Sequence, residues 1–378
     1  MIYVFDYATL KVIWWATVGL VIIVFALTDG WDMGIGMLSP VVGKTDLERR
    51  MILRSIEPNW EGNQTWLIIA GGVIFAAWPL VYAAAFSGMY FALLLVLFAL
   101  FLRPVGFKYR NKRPDEKWRR NWDRGLFVGA FVPSLVFGVA FGNLLQGVPF
   151  HFDDDLRSFY TGSFWALLNP FALVAGVLSV ALLVMHGAAY LRLRIDGPVA
   201  YRAGRIGRAA AIVVIVLFAL AGVWVATGID GYRLTSVATG NAQSNPLGKT
   251  VVRAAGAWLD NYATYRWMVA APVAGFAGAA LAYLFFFKRH PLVTLCGTAL
   301  AVTGVILTAG FSLFPFIMPS SSQPSNSLTA WDAVSSHRTL QIMFWVTVVM
   351  LPVITLYTSW AYAKMRGKID VETVESEY

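Results

Sequence analysis

Three carboxylates stand where apolar runs of the chain begin or end, and they are its clearest offer of chemistry. Asp29 and Asp32 lie in Thr-Asp-Gly-Trp-Asp-Met-Gly at the close of the first apolar run. Glu61 lies in Glu-Pro-Asn-Trp-Glu-Gly-Asn-Gln-Thr-Trp, and after it the next charged residue is Arg103. An ionisable group at or inside a membrane edge is costly, and by default it marks a proton or ion path. Trp60, Asn63 and Gln64 flank Glu61, and the amides suit water. The plainer reading is that such acids cap helices or pair with an interfacial arginine such as Arg54. Arg103 closes the run after Glu61 and Asp123 opens the next, so these two are expected to pair across a hairpin.

Other chemistries find little support. Of the four histidines, only His186 falls well within an apolar run. A low-spin haem would require a second axial ligand, and no pairing is evident, so His186 reads first as a hydrogen-bonded residue between helices and only second as a cofactor ligand. One cysteine, Cys296, excludes a disulfide framework. No zinc or copper cluster, phosphate-binding glycine loop or nucleophile elbow is present, and no metal site is expected.

The elements that must position these residues are membrane helices. Hydrophobic residues make up 58% of the chain, charged residues 13%, and mean hydropathy is +0.63, which describes an all-α integral membrane protein. Counting uncharged intervals against the roughly 20 residues of a crossing gives nine. They are 12–28 (extended by 31–38), two within 62–102 split at Trp78-Pro79, 125–150, one in 158–191, 209–229, 267–287, one in 291–331, and 339–363. Lys and Arg concentrate in 39–60, 103–124, 188–208, 288–291 and the C-terminal tail. Basic residues favour cytoplasmic loops, so the amino terminus is expected outside and the carboxyl terminus inside. The net charge of +9 then reflects topology, and no nucleic-acid partner is implied. Glu61 falls near the inner boundary, about 25 Å along a helix from Trp78. Between crossings, 247–262 shows helical spacing of Val251, Val252, Ala255, Trp258, Leu259 and Tyr262, which predicts an interfacial helix. The Ser-rich stretch 319–336 predicts another below the outer surface.

Several motifs together carry a family resemblance. They include Thr28-Asp-Gly-Trp-Asp-Met-Gly-Ile-Gly-Met37, Asn59-Trp-Glu-Gly-Asn-Gln64, Phe75-Ala-Ala-Trp-Pro79, Arg103-Pro-Val-Gly-Phe107, Gly228-Ile-Asp-Gly-Tyr232 and Phe316-Ile-Met-Pro-Ser-Ser321. On these the chain resembles subunit II of the cytochrome bd quinol oxidases, from the Trp14-Trp15 helix to the last crossing. The resemblance implies a multi-pass subunit of a bacterial inner-membrane terminal oxidase that reduces O₂ to water with electrons from ubiquinol, electrogenically. It implies two four-helix bundles plus one additional helix, divided here as 1–150, 151–320 and 321–378. Haem b and haem d are expected in subunit I, the main partner, beside membrane lipids, quinone and a small single-helix third subunit. Glu61 matches an acidic position in a hydrophilic path at the subunit boundary, where many members carry Asp, and would act as proton relay. Asp32, Arg103 and Asp123 match other polar positions of the family, and the residues themselves add Asp29, Trp60 and Asn63 as supporting candidates. A secondary transporter using Asp29, Asp32 and Glu61 as a cation site, and a purely structural scaffold, are the alternatives.

Overall fold

The computed structural model describes residues 4–236, 241–288 and 290–369. Arg289 and the end of the tail, 370–378, counted above among the inner segments, lie outside these. Eight helices among the described residues are long and apolar enough to cross a membrane. They are α1 (Tyr7–Val42), α5 (Tyr90–Tyr109), α6 (Glu116–Gln146), α7 (Pro170–Arg194), α8 (Gly197–Thr227), α10 (Ala270–Phe285), α11 (Pro291–Leu313) and α12 (His337–Lys364). Two of these spans take in an adjoining short turn, at Arg110–Lys112 after α5 and at Arg266–Val269 before α10. A further helix, α3 (Trp60–Ala77), has 18 residues, and its polar first turn lowers its mean hydropathy. The short helices α2 (Asp46–Arg54), α4 (Pro79–Gly88) and α9 (Asp260–Thr264) complete the set.

Local chemistry explains most boundaries. Thr45 and Glu48 form a reciprocal capping box at the start of α2. Asn169 accepts from the backbone N–H of Ala172 and precedes Pro170 at the first turn of α7. Ser336 accepts from the N–H of Thr339 to start α12. Trp78-Pro79 breaks the long apolar run as expected, because proline disfavours helical geometry in the residue before it. The run yields three helices rather than a hairpin of two, since α4 forms a separate piece between α3 and α5.

Two expectations for the loops fail. Residues 250–255 form a strand, β4 (Thr250–Ala255), paired antiparallel with β3 (Asp230–Ser236), in place of an interfacial helix. Val251 is buried and Val252 exposed, so the two-residue alternation of a strand prevails over the helical spacing. Only Ala257–Leu259 and α9 turn helically beyond it. In 319–336, β5 (Phe316–Met318) pairs with β6 (Leu328–Thr329), with one short 3-10 turn between them. Its polar residues cap turns: the Ser320 hydroxyl donates to the Phe150 carbonyl and Asn326 accepts from the Phe152 N–H. A third hairpin, β1 (Phe150–Phe152) with β2 (Ser158–Tyr160), meets this turn.

Inside the bundle α1 runs against α3, α6 and α7. Gly34 and Gly187 allow the closest approach. A Cβ on Gly34 would stand 2.1 Å from the Leu183 carbonyl oxygen, and one on Gly187 would stand 2.6 Å from the Gly34 carbonyl carbon. By contrast α12 is mostly exposed along its length. The chain beyond it returns to α7: the Ile369 N–H donates to the Arg194 carbonyl (2.8 Å), Arg194 Nη1 to the Gly367 carbonyl (2.7 Å), and Lys368 pairs with Asp196 (2.7 Å). The Ile369 side chain is buried in the core of α7 and α8.

Candidate functional site

Asp29 and Asp32 do not end a helix, because α1 continues ten residues beyond Asp32 to Val42. They therefore cap nothing, and Arg54 pairs instead with Glu57 (3.5 Å). Both acids face inward, with 0% and 1% exposure. Asp29 is held by Arg103 from α5 in a two-pronged pair, Nη1 to Oδ2 at 2.8 Å and Nη2 to Oδ1 at 2.5 Å. Planar guanidinium and carboxylate match in this geometry, which is the strongest form of the contact. Arg103 is 2% exposed.

The expected Arg103–Asp123 pair is thus replaced. Asp123, near the start of α6, accepts from Arg49 Nη1 (2.8 Å) and from Arg110 Nε (2.5 Å). Arg110 also reaches Asp46 (3.0 Å). The sequence places Arg103 and Asp123 on either side of one basic loop, but Arg103 turns into the bundle, where a buried carboxylate requires a cation, while Asp123 stays among the loop arginines.

Asp32 makes no ion pair of its own among the described residues. Its Oδ2 accepts from Asn63 Nδ2 of α3 (2.8 Å), and Asn63 Oδ1 accepts from the Tyr362 hydroxyl of α12 (2.6 Å). Its Oδ1 has no hydrogen-bond partner among the described residues. A polar chain thus links α12, α3 and α1. Trp31 roofs it, stacked on Tyr190 (4.5 Å between ring centres) and edge-on to Tyr362 (5.7 Å). Sequence reasoning missed Tyr362, Trp31, Tyr190, Arg49 and Arg110. Aromatics near the ends of membrane helices are common as interfacial anchors, so nothing in the sequence singled out these.

Glu61 and Asn63 separate, although they are two residues apart. Residues at i and i+2 on a helix face different ways; Asn63 points inward, whereas Glu61 is exposed in the first turn of α3. Thr65, Ile68, Gly72 and Phe75 continue the outward stripe. Trp60 stacks on Phe107 (5.4 Å) at the end of α5.

His186 is buried on α7. Its Nε2–H donates to the Leu27 carbonyl (2.9 Å), and Nδ1 lies 2.9 Å from Thr298 Oγ1. Both ring nitrogens are engaged, so this residue does not fit the role of axial haem ligand. Among the described residues no group of three or more His, Cys, Asp and Glu side chains is placed to hold a metal. An apolar cavity of about 1160 Å³ lies beside the acids, bounded by Phe25, Met33, Leu97, Phe137 and Leu182 among others. Gly30 and Met33 line it; Asp29 and Asp32 do not.

Comparison with known proteins agrees over nearly the whole chain. The profile of the cytochrome bd terminal oxidase subunit II family matches residues 10–365. The chain is 53% identical over 370 residues to cytochrome bd-I ubiquinol oxidase subunit 2 of Escherichia coli K12, covering 98% of each. It is 48% identical to the probable cytochrome oxidase subunit 2 of Haemophilus influenzae, again with 98% of each covered. In fold it resembles a chain of the bd oxidase from Geobacillus thermodenitrificans, with a TM-score of 0.63 at 13% identity, over 94% of this chain and 99% of that one. With a family profile over residues 10–365 and 53% identity across 98% of the chain, one conclusion follows: the chain belongs to the cytochrome bd terminal oxidase subunit II family.

Proposed function

We propose that this chain is the haem-free second subunit of a quinol oxidase in a bacterial inner membrane, with Glu61 serving as a proton relay at the boundary with subunit I. The observation that carries this reading is the position of Glu61. A carboxylate and the Thr65 hydroxyl lie exposed on a helix face that continues through Ile68 and Phe75. Bare lipid is a poor environment for an ionisable side chain, so a second protein covers this stripe. The relatives' designation as subunit 2 of a ubiquinol oxidase supports a haem-bearing subunit I as that cover, with haem b and haem d, ubiquinol oxidation and O₂ reduction located there. The two occupied nitrogens of His186 are consistent with that division.

In this reading α3 is a crossing together with the eight long helices, giving nine, arranged as bundles over 1–150 and 151–320 with α12 as the additional helix. The arginine-rich end faces the cytoplasm and the hairpins face the periplasm. The apolar cavity suits a lipid or quinone tail, and a small single-helix subunit completes the complex. Transport through Asp29, Asp32 and Glu61 as one cation site has less support, because Arg103 already neutralises Asp29 and Glu61 is turned outward.

The test is Glu61→Gln in the intact complex with its partner. Quinol-driven oxygen consumption and proton uptake from the inner side are expected to fall by a factor of about 10² or more, the range for loss of a proton-transfer group, with the haem spectrum unchanged. Glu61→Asp should keep most of the activity. Unaltered turnover and proton uptake in Glu61→Gln would leave the chain a scaffold.

A further inference from the structure

The arginine-rich end of the bundle treats its cations in two ways. Around α2 and α6 five acid contacts bind four of the guanidiniums: Arg50 and Arg119 pair with Asp46, Arg49 with Asp123, Arg110 with both. Arg202 on α8 meets Glu48 (2.6 Å). Along the seam of α7, α8 and α10 the pattern changes. Arg192, Arg205, Arg208 and Lys288 make no ion pair among the described residues.

Three of these side chains are held by contacts, and Arg205 stands near them on α8. Arg192 lies against Gly204, its Cδ 3.1 Å from where a Cβ would stand, and Nη2 approaches the Lys288 carbonyl at 3.5 Å. One turn further along α8, Arg208 lies over the rings of Tyr283 (4.3 Å) and Phe287 (5.4 Å). Lys288 lies over Phe285 (4.7 Å). Arg205 is exposed one turn from Arg208. Arg192 Nη1 and Arg208 Nε are shielded from water and have no acceptor, a state that calls for a missing partner. Ring contacts hold a cation without neutralising it.

We propose that this seam binds the headgroup of an anionic phospholipid, with its phosphate diester among Arg192, Arg205, Arg208 and Lys288. The surface above the cations fits acyl chains. Arg205, Ala209, Ile212, Val216 and Leu220 follow at three- and four-residue steps on the exposed side of α8, and Leu284 of α10 is 57% exposed beside them. Basic clusters between membrane helices recognise acidic lipids in this way. Four clustered cations repel the ammonium of choline or ethanolamine lipids, so phosphatidylglycerol or another net-negative headgroup is preferred. A free phosphate shares the headgroup chemistry but makes no use of the apolar stripe.

The test uses the assembled oxidase complex, exchanged into phosphatidylcholine nanodiscs and titrated with phosphatidylglycerol, with bound lipid counted by mass spectrometry. Arg192→Gln with Arg208→Gln should lower the affinity of one phosphatidylglycerol site about thirtyfold, as expected for two basic groups. Arg192→Lys with Arg208→Lys should retain most of it. Equal binding in the Gln double variant overturns the proposal, as does loss in both double variants of a complex that keeps its haem spectrum. Displacement of the lipid by 10 mM inorganic phosphate would identify a soluble-anion site and also overturn it. So would a site that binds phosphatidylglycerol only after residues 370–378, which include Asp370, Glu372, Glu375 and Glu377, are deleted, because the tail would then be the occupant.

Discussion

Two of the buried ion pairs, one among the helices and one among the hairpins, differ in how their charges are matched. Asp29–Arg103 sits among helices, doubly hydrogen-bonded, with a second acid, Asp32, three residues away. Lys249–Asp332 sits among the hairpins, with a single contact of 3.1 Å, and Lys249 also donates to the Pro246 carbonyl (2.6 Å). Burial pushes the Asp332 carboxyl above its usual range even with Lys249 beside it, and holds the Lys249 ammonium below its usual range. A guanidinium fork offers two parallel bonds where the ammonium offers one, and is the better matched partner for a buried carboxylate. Each pair has a further buried charge near it, the acid Asp32 beside the helix pair and the cation Lys11 beside the hairpin pair.

Breaking the helix pair is the largest effect expected. Arg103→Met leaves two buried carboxylates without a cation and should cost about 5 kcal/mol, the upper range for an orphaned buried charge, read as the unfolding midpoint of the purified complex. A loss no greater than that of Lys249→Met would erase the distinction. Lys249→Met should itself cost about 3 kcal/mol, and adding Asp332→Leu should restore most of it, since a well-packed apolar replacement of a buried pair is often neutral or better.

The pH response follows from the same pair. A carboxyl raised in the folded chain binds protons there more readily than when unfolded, so stability falls as pH rises from the ordinary value of 3.8 through the raised one. An ammonium held low has the opposite sign: stability rises with pH from the lowered value up to about 10.5. Protease resistance of the β3–β4 hairpin, followed across pH in wild type and in Lys249→Met with Asp332→Leu, should show both slopes only in the wild type.

Smaller effects separate the inward from the outward face of α3. Asn63→Ala removes the amide donor to Asp32 Oδ2 and should cost about 1–3 kcal/mol, whereas Tyr362→Phe, one link further out, should cost about 0.5–1.5. Glu61→Gln should change stability by less than about 0.5 kcal/mol, as for an exposed substitution, even as turnover falls. A destabilised Glu61→Gln complex would mean that the residue is held structurally after all.

Much of this was legible beforehand because apolar length and proline placement act locally. The long spans, the break at Trp78-Pro79 and the three acids could be read from spacing alone. Partner choice could not. Arg103 is as near in sequence to Asp123 as any simple hairpin allows, and only the inward rotation of α5 joins it to Asp29. The same holds for Glu61 and Asn63, which lie about 200° apart around α3, so that packing against α1 turns one inward and the other outward. The segment 247–262 misled for another reason: short apolar stretches fit both periods, and the pairing of Thr250–Ala255 with β3 decided between them.

The return of the last described residues to Arg194 bears on biosynthesis. Tyr362 and Ile369 are synthesised after every other span described here, so the contacts with Asn63 of α3 and Arg194 of α7 are the last of these to close. A chain cut before residue 367 would keep all the described spans yet lose the contacts that fasten the segment after α12 to Arg194 and Asp196.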